Sequence, residues 1–140
     1  MKQEEHAQQS SFFQWTEVLE KRFPELARFW AVPNGGARHP VVAGKLKAEG
    51  VKKGILDVVN VMPTRALDGP LYRGLILEFK SSTGRLSPEQ RDWCQHFREQ
   101  GFRVEVPRSW VEAALITIDY FGLPAELKRN LPLHRVKEVA

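Results

Sequence analysis

The sequence has a single cysteine among its 140 residues, Cys94. One thiol cannot form an internal disulfide, and a thiolate zinc site needs several thiols, so both are excluded. We expect Cys94 to be buried, since a free cysteine behaves as a small apolar side chain. No run approaches the ~20 apolar residues of a membrane span, and the N-terminal MKQEEHAQQ is polar where a signal peptide is apolar. These absences predict a cytoplasmic protein without a membrane partner.

The composition is typical of one globular domain, with 42% hydrophobic and 27% charged residues. The formal net charge of +4 favours a polyanionic partner, provided that the charge is clustered near a site. Six basic or potentially basic residues do lie within sixteen positions: Arg38, His39, Lys45, Lys47, Lys52 and Lys53.

Hydrophobic spacing and capping signals predict alternating helices and strands. The predicted helices cover residues 4–22, 40–49, 88–100 and 110–121, and the predicted strands cover 55–62, 71–80 and 102–106, with a turn or short strand at 28–32. The strands over 55–62 and 71–80 are expected to be antiparallel neighbours joined as a hairpin. We assign residues 1–122 to one domain and 123–140 to a C-terminal tail that is either loosely ordered or used in an oligomer contact.

Charged residues interrupt two of the buried strands. Glu78 and Lys80 lie two residues apart, so they share one face of their strand, and Asp57 lies within the neighbouring strand. A buried charge costs several kcal/mol unless it is paired, hydrated or bound to a metal. Two carboxylates facing each other across adjacent strands would also repel, unless a cation lies between them. The pattern is either a structural ion pair or a functional site.

Two more polar residues lie on the apolar stripes of predicted helices. Glu5 is either at a solvated helix end or reaches into a site. Gln90 is either the partner of Ser87 in a capping box or a member of the same site. Carboxylate oxygens at such a site suit Mg²⁺, and a neighbouring lysine can orient a water molecule or neutralise charge on a phosphate.

Several motifs together resemble the VRR-NUC branch of the PD-(D/E)xK nuclease superfamily, the virus-type replication and repair nucleases. The resemblance covers about residues 4–122. The motifs are Glu5 with Gln9 and Trp15, the segment PNGGAR (33–38), the segment GVKKGILD (50–57), the segment LEFK (77–80) and the segment GRLSPEQ (84–90). The family usually has proline before the aspartate, where this chain has Leu56.

The resemblance implies a restriction-endonuclease-like α/β core, with a mixed β-sheet flanked by helices. It implies that Asp57, Glu78 and the backbone carbonyl of Phe79 bind Mg²⁺ or Mn²⁺, that Lys80 is the catalytic lysine and that Gln90 orients the site. Glu5 would complete the site, directly or through water. We expect the following residues to contact DNA, although for the first four a plain turn with a surface arginine would look identical in sequence: Asn34, Gly35, Gly36, Arg38, Lys45, Lys52, Lys53 and Arg85.

The predicted function is therefore metal-dependent hydrolysis of phosphodiester bonds in DNA. The resemblance implies a structure-specific endonuclease that acts as a homodimer on branched DNA such as Holliday junctions, in the cytoplasm of a bacterium or of a phage-infected host. The alternatives are a nuclease of the same chemistry acting on flaps, nicks or duplex, a non-catalytic DNA-binding module with a nuclease fold, and a purely structural ion-pair core.

Overall fold

The computed structural model describes residues 2–33, 40–65 and 69–133 of the chain. The elements of these ranges are α1 (Lys2–Leu19), β1 (Trp30–Ala31), α2 (Pro40–Ala48), β2 (Val58–Asn60), β3 (Thr64–Arg65), β4 (Leu71–Tyr72), β5 (Leu75–Leu77), α3 (Pro88–Glu99), β6 (Arg103–Glu105), α4 (Trp110–Phe121) and α5 (Glu126–Arg129). A 3₁₀ turn at Pro24–Arg28 connects α1 to β1. None of the helices in the described ranges is long and apolar enough to cross a membrane.

Four strands form one mixed sheet in the order β1-β2-β5-β6. Strand β2 pairs antiparallel with both β1 and β5, and β6 pairs parallel with β5. Strands β3 and β4 form a separate two-stranded ribbon. This mixed sheet, flanked by helices, confirms the predicted fold class.

The central strand β5 divides its side chains between two cores because successive residues point to opposite faces. On one face Leu75, Leu77 and the following Phe79 are buried in a core that includes Phe12 of α1 and residues of α4. On the other face Ile76 packs in a core with Cys94 of α3, which confirms that this cysteine is buried. Helices α1 and α4 therefore cover one side of the sheet, and α3 covers the other.

The predicted strand over residues 71–80 is wrong in its extent. Its first part is β4, which belongs to the separate ribbon, and the chain leaves strand geometry at Arg73 and Gly74 before β5 begins. A Cβ atom on Gly74 would lie 2.6 Å from the carbonyl oxygen of Asn60 and 2.9 Å from the ring of Phe102. Only glycine fits in this crossing. The antiparallel pairing of β2 with β5 is confirmed, although the connection between them contains the β3-β4 ribbon.

Residues 123–133 of the predicted tail pack against the domain. Leu127 of α5 and Leu131 are buried in a core with Val111, Ala114 and Ile118 of α4. Burying two leucines stabilises this attachment by about 3–6 kcal/mol before the entropic cost of ordering the segment is subtracted. Residues 134–140 lie outside the described residues.

Helix α2 ends as the sequence predicts but has no buried residue. Gly50 has φ +99°, a conformation that favours glycine, and the N–H groups of Gly50 and Val51 donate to the carbonyls of Lys47 and Leu46. Those two bonds make a Schellman C-cap. Because α2 buries none of its side chains, it projects from the surface of the domain.

Candidate active site

The register of the sheet brings Asp57 and Glu78 together. Val58 is opposite Leu77 in the antiparallel β2-β5 pair, so the next pair beyond the strand ends is Asp57 and Glu78. The backbone N–H of Asp57 donates to Oε2 of Glu78 over 3.1 Å, and the backbone N–H of Phe79 donates to Oδ2 of Asp57 over 3.0 Å. Each carboxylate is therefore held by a backbone amide at the end of the other strand.

Glu78 is 2% exposed and has two further polar neighbours. Gln90 donates from Nε2 to Oε1 of Glu78 over 2.6 Å, and Nζ of Lys80 lies 3.7 Å from the same oxygen. The Lys80 side chain is only 11% exposed, so the ammonium is held close to the acidic pair. The predicted set of Asp57, Glu78, Lys80 and Gln90 converges at one point.

Gln90 performs both of the functions that the sequence left open. Its Oε1 accepts the backbone N–H of Ser87, while Oγ of Ser87 accepts the backbone N–H of Gln90, which completes a capping box at the start of α3. With Oε1 engaged by the cap, the amide nitrogen is turned toward Glu78. The capping box thus fixes the orientation of the glutamine that contacts the carboxylate.

Glu5 reaches the site rather than ending in solvent. Its Oε1 accepts the backbone N–H of Ser81 over 3.3 Å, in the turn that follows Lys80. Arg108 fastens the same turn, because its guanidinium donates to the carbonyls of Ser81 and Gly84. Sequence reasoning missed Arg108, since no local pattern indicates a side chain that binds a turn some twenty-five residues earlier.

The loop before Asp57 packs against the first turn of α3. Gly54 has φ +76°, and a Cβ atom there would lie 2.6 Å from Cβ of Glu89. The carbonyl of Lys53 accepts from the indole of Trp93, and Nζ of Lys53 lies 3.3 Å from Glu89. Leu56, which stands where the family has proline, is 1% exposed in the core beneath α3. The replacement of proline by leucine at this position therefore does not disturb the backbone that leads to Asp57.

Burial sets the electrostatics of the two carboxylates. Loss of solvation raises the pKa of Asp57, and hydrogen bonding to Glu78 and Phe79 opposes that rise. Loss of solvation, with repulsion from Asp57, raises the pKa of Glu78 to about 9, and the charge of Lys80 acts in the opposite direction. Near neutral pH and without a cation, the pair therefore holds a proton.

This proton makes the stability of the metal-free protein depend on pH. Between a pKa of 4.5 for a free glutamate and about 9 in the folded chain, the folded state binds more protons, so stability falls as the pH rises. We expect Glu78→Gln to reduce this pH-dependent loss in the free energy of unfolding by at least about 1.4 kcal/mol. That is the free energy that corresponds to a shift of one pKa unit.

Thermal unfolding in the presence of a chelator, from about pH 5 to about pH 9, measures this difference. Glu17→Gln is the matched control, because Glu17 is exposed on α1. If wild type and Glu78→Gln lose stability in parallel across this range, Glu78 does not hold the proton.

The carboxylate pair lies in an open cleft of about 850 Å³ between α1, α2 and α3. Of the predicted DNA contacts, Lys52, Lys53 and Arg85 line this cleft and Lys45 does not. Asn34, Gly35, Gly36 and Arg38 lie outside the described residues. The cleft is also lined by residues that were not predicted as contacts: His6, Gln9, Ala43, Leu46, Lys47, Val51, Gly54 and Ser87.

Lys47 is the most informative of these additions. It lies on α2, facing the cleft, while Lys45 on the same helix is directed elsewhere. Lys47 follows Ala43 by four residues, so the two share one face of α2, but that this face lines the cleft is known only from the structure. The positive charge of the cleft therefore comes from α2, the loop after it and the turn before α3.

Metal-binding capacity at this site rests on few protein ligands. Within the described parts of the chain, no three His, Cys, Asp or Glu side chains converge closely enough to hold an ion. Asp57 and Glu78 form a pair, and Glu5 is engaged by the turn after Lys80. A pair of carboxylates suits a cation that retains much of its hydration.

Comparisons with known proteins identify the family and the fold of the chain. The model of the VRR-NUC domain family matches residues 2–110. A solved structure described as a VRR_NUC domain protein superposes with a TM-score of 0.67 at 21% identity, covering 85% of this chain and 88% of that chain. A search of curated proteins gives no match. Because the family match spans most of the sequence, and the solved structure shares the fold, the chain belongs to the VRR-NUC domain family and has its nuclease fold.

Proposed function

We propose that the domain is a metal-dependent, structure-specific DNA endonuclease. The observation that carries the proposal is the juxtaposition of the buried Glu78 carboxylate and the half-buried Asp57 carboxylate with a nearly buried lysine, in a cleft open to solvent. A structural ion pair would need one acid and one base. Here the second acid raises the pKa of the first, which is unfavourable for stability and useful for binding a cation.

The donor set fits Mg²⁺ or Mn²⁺. Asp57 and Glu78 supply oxygen ligands without nitrogen or sulfur, and a hard cation bound by one or two carboxylates keeps positions for water and phosphate. The backbone carbonyl of Phe79 would supply a third oxygen, with Glu5 contributing through water. When bound, such an ion polarises the phosphoryl oxygen and lowers the pKa of coordinated water.

The residues of the chain then have separate tasks. Lys80 holds its ammonium beside Glu78, where it can orient the attacking water and neutralise charge on the phosphate. Gln90 restrains Oε1 of Glu78, and the amide of Phe79 restrains Oδ2 of Asp57. Arg108 and Glu5 hold the turn after Lys80 and so limit the positions of the lysine backbone.

DNA is the proposed polyanion because the charge surrounds this cleft. Lys47, Lys52, Lys53 and Arg85 line its walls, and contacts of this kind recognise phosphates irrespective of sequence. Lys45 remains a proposed contact on the outer side of α2. Binding should weaken steeply as salt concentration rises, since each neutralised phosphate releases counterions.

Branched DNA, including Holliday junctions, is the proposed substrate class, with a homodimer as the active form in the cytoplasm of a bacterium or phage host. The described residues of one chain form one such cleft, and paired cuts on two strands require two. A symmetric dimer supplies a second cleft related by a two-fold axis.

A panel of labelled DNA structures tests this proposal. Wild-type protein is incubated with four-way junction, flap, nicked and linear duplex DNA in Mg²⁺ or Mn²⁺, and its oligomeric state is measured by light scattering. We expect the junction to be cut fastest, with paired cuts, by a dimer. Faster cutting of flaps, nicks or duplex would replace the junction assignment, and binding without cutting in either metal would identify a non-catalytic module.

A further inference from the structure

A second, smaller cavity lies beside the active-site cleft, between α1 and the edge strand β1. Its volume is about 280 Å³, and it is lined by His6, Gln9, Ser10, Phe13 and Ala31. The first four residues lie on α1, and Ala31 closes the cavity from the sheet side.

The two cavities are adjacent. His6 and Gln9 line both of them, so the smaller cavity lies directly beside the active-site cleft. Along α1, Phe13 follows Glu5 by eight residues, which is ~12 Å at the helical rise of ~1.5 Å per residue. A DNA strand with its phosphate at Asp57 and Glu78 would place a neighbouring nucleotide within reach of Phe13.

The lining of the smaller cavity suits an uncharged planar ligand. Its described lining residues include no lysine, arginine, aspartate or glutamate, so these residues offer neither the charges that bind phosphate nor the carboxylates that bind a cation. The side chains of His6, Gln9 and Ser10 have no hydrogen-bond partner among the described residues. They supply an imidazole, an amide and a hydroxyl beside an aromatic ring, the groups with which proteins bind base edges and base faces.

We propose that this cavity binds an unpaired nucleobase of the DNA strand that is cut, with the base stacked on the ring of Phe13. In a duplex, both faces of a base are covered by its neighbours, so stacking on a side chain requires a base that is already unpaired or has been extruded. The inference rests on the proposed function, because it takes the strand to be the enzyme's DNA substrate. It adds a local reason for preferring junctions, flaps or gaps to intact duplex.

Two variants and one control test the subsite. Phe13→Leu keeps an apolar side chain beside Phe12, whose ring meets Phe13 edge-on at 5.8 Å, but it removes the aromatic face. Gln9→Ala removes the amide from a residue that has no partner to lose, so it does not depend on the folding of the first variant. Gln14→Ala is the matched control, because Gln14 is exposed on the same helix and lines neither cavity.

The first readout is binding without cleavage. Flap and gapped DNA carry 2-aminopurine at each unpaired position near the junction in turn, and fluorescence is followed during titration in EDTA. We expect quenching at one position with wild type and Gln14→Ala, loss of quenching with Phe13→Leu, and about 5- to 150-fold weaker binding, the range for one base stacked on an aromatic ring. Gln9→Ala should weaken binding in the same direction.

The second readout is the effect of removing the base. Wild type should bind DNA with an abasic site at the quenched position as weakly as Phe13→Leu binds intact DNA. Phe13→Leu should lose no further affinity for the abasic DNA, because the abasic site and the substitution remove the same contact. Equal affinity of Phe13→Leu, Gln9→Ala and wild type for the intact base, with no quenching at any position, would overturn the subsite. Wild-type cleavage in Mn²⁺, measured in parallel, separates that result from a failure of the nuclease assignment.

Discussion

Lys80→Met is expected to slow DNA cleavage by about 10²- to 10⁴-fold, the range for losing a group that transfers a proton or stabilises charge in the transition state. The ammonium lies 3.7 Å from Oε1 of Glu78 and is nearly buried, so the substitution removes a positive charge that is held directly beside the acidic pair. Methionine keeps the length and the apolar stem of lysine. The hydrogen bond from the backbone N–H of Lys80 to the carbonyl of Pro107 does not involve the side chain and should be retained.

Single-turnover cleavage with saturating enzyme measures this effect apart from binding. Lys21→Met is the control, because Lys21 is exposed in the turn after α1 and lies outside the cleft. DNA affinity in EDTA should change little in Lys80→Met. If Lys80→Met cuts DNA within a few fold of the wild-type rate, Lys80 takes no part in the chemistry and serves only as the ion-pair partner of Glu78.

Asp57→Asn is expected to abolish the response of the protein to divalent metal. The amide oxygen of asparagine can still accept the N–H of Phe79, but the negative charge is lost. Loss of a residue that only supports a metal ligand typically lowers activity by ~10- to 100-fold. Cleavage by Asp57→Asn should fall by more than this, because Asp57 is itself a proposed ligand. Wild type at a metal concentration 100 times its Kd should gain about 2.7 kcal/mol of stability, and the variant should gain much less.

Thermal unfolding with and without Mn²⁺ tests this prediction, with Asp92→Asn, on the exposed side of α3, as the control. The metal-free Asp57→Asn protein should be at least as stable as wild type, since the substitution removes a partly desolvated carboxylate beside Glu78. If the variant is instead destabilised and still responds to Mn²⁺, the acidic pair belongs to a structural ion-pair core.

The sequence predicts the centre of the site because its chemistry is local. The alternation of side chains along β5 places Glu78 and Lys80 on one face, and the antiparallel pairing of β2 with β5 places Asp57 opposite Glu78. The capping signal at Ser87 likewise predicts where Gln90 lies. In each case a period or a motif of a few residues determines the geometry.

The remaining contacts are not predictable from local patterns because tertiary packing creates them. The end of the strand at Gly74 depends on the carbonyl of Asn60 and the ring of Phe102, which come from other parts of the chain. Arg108 reaches the turn after Lys80 only because β6 runs parallel to β5. The smaller cavity beside Phe13 exists only once α1 lies against β1.

Metal-dependent hydrolysis of DNA in this cleft can be tested in a single sample. Wild-type protein is mixed with end-labelled four-way junction in EDTA, excess Mn²⁺ is then added to the same sample, and the products are resolved on a denaturing gel. We expect no cutting in EDTA and discrete cuts after Mn²⁺ is added. Undiminished cutting in EDTA would contradict metal dependence, and intact junction after Mn²⁺ is added would contradict the assignment of this activity to the cleft.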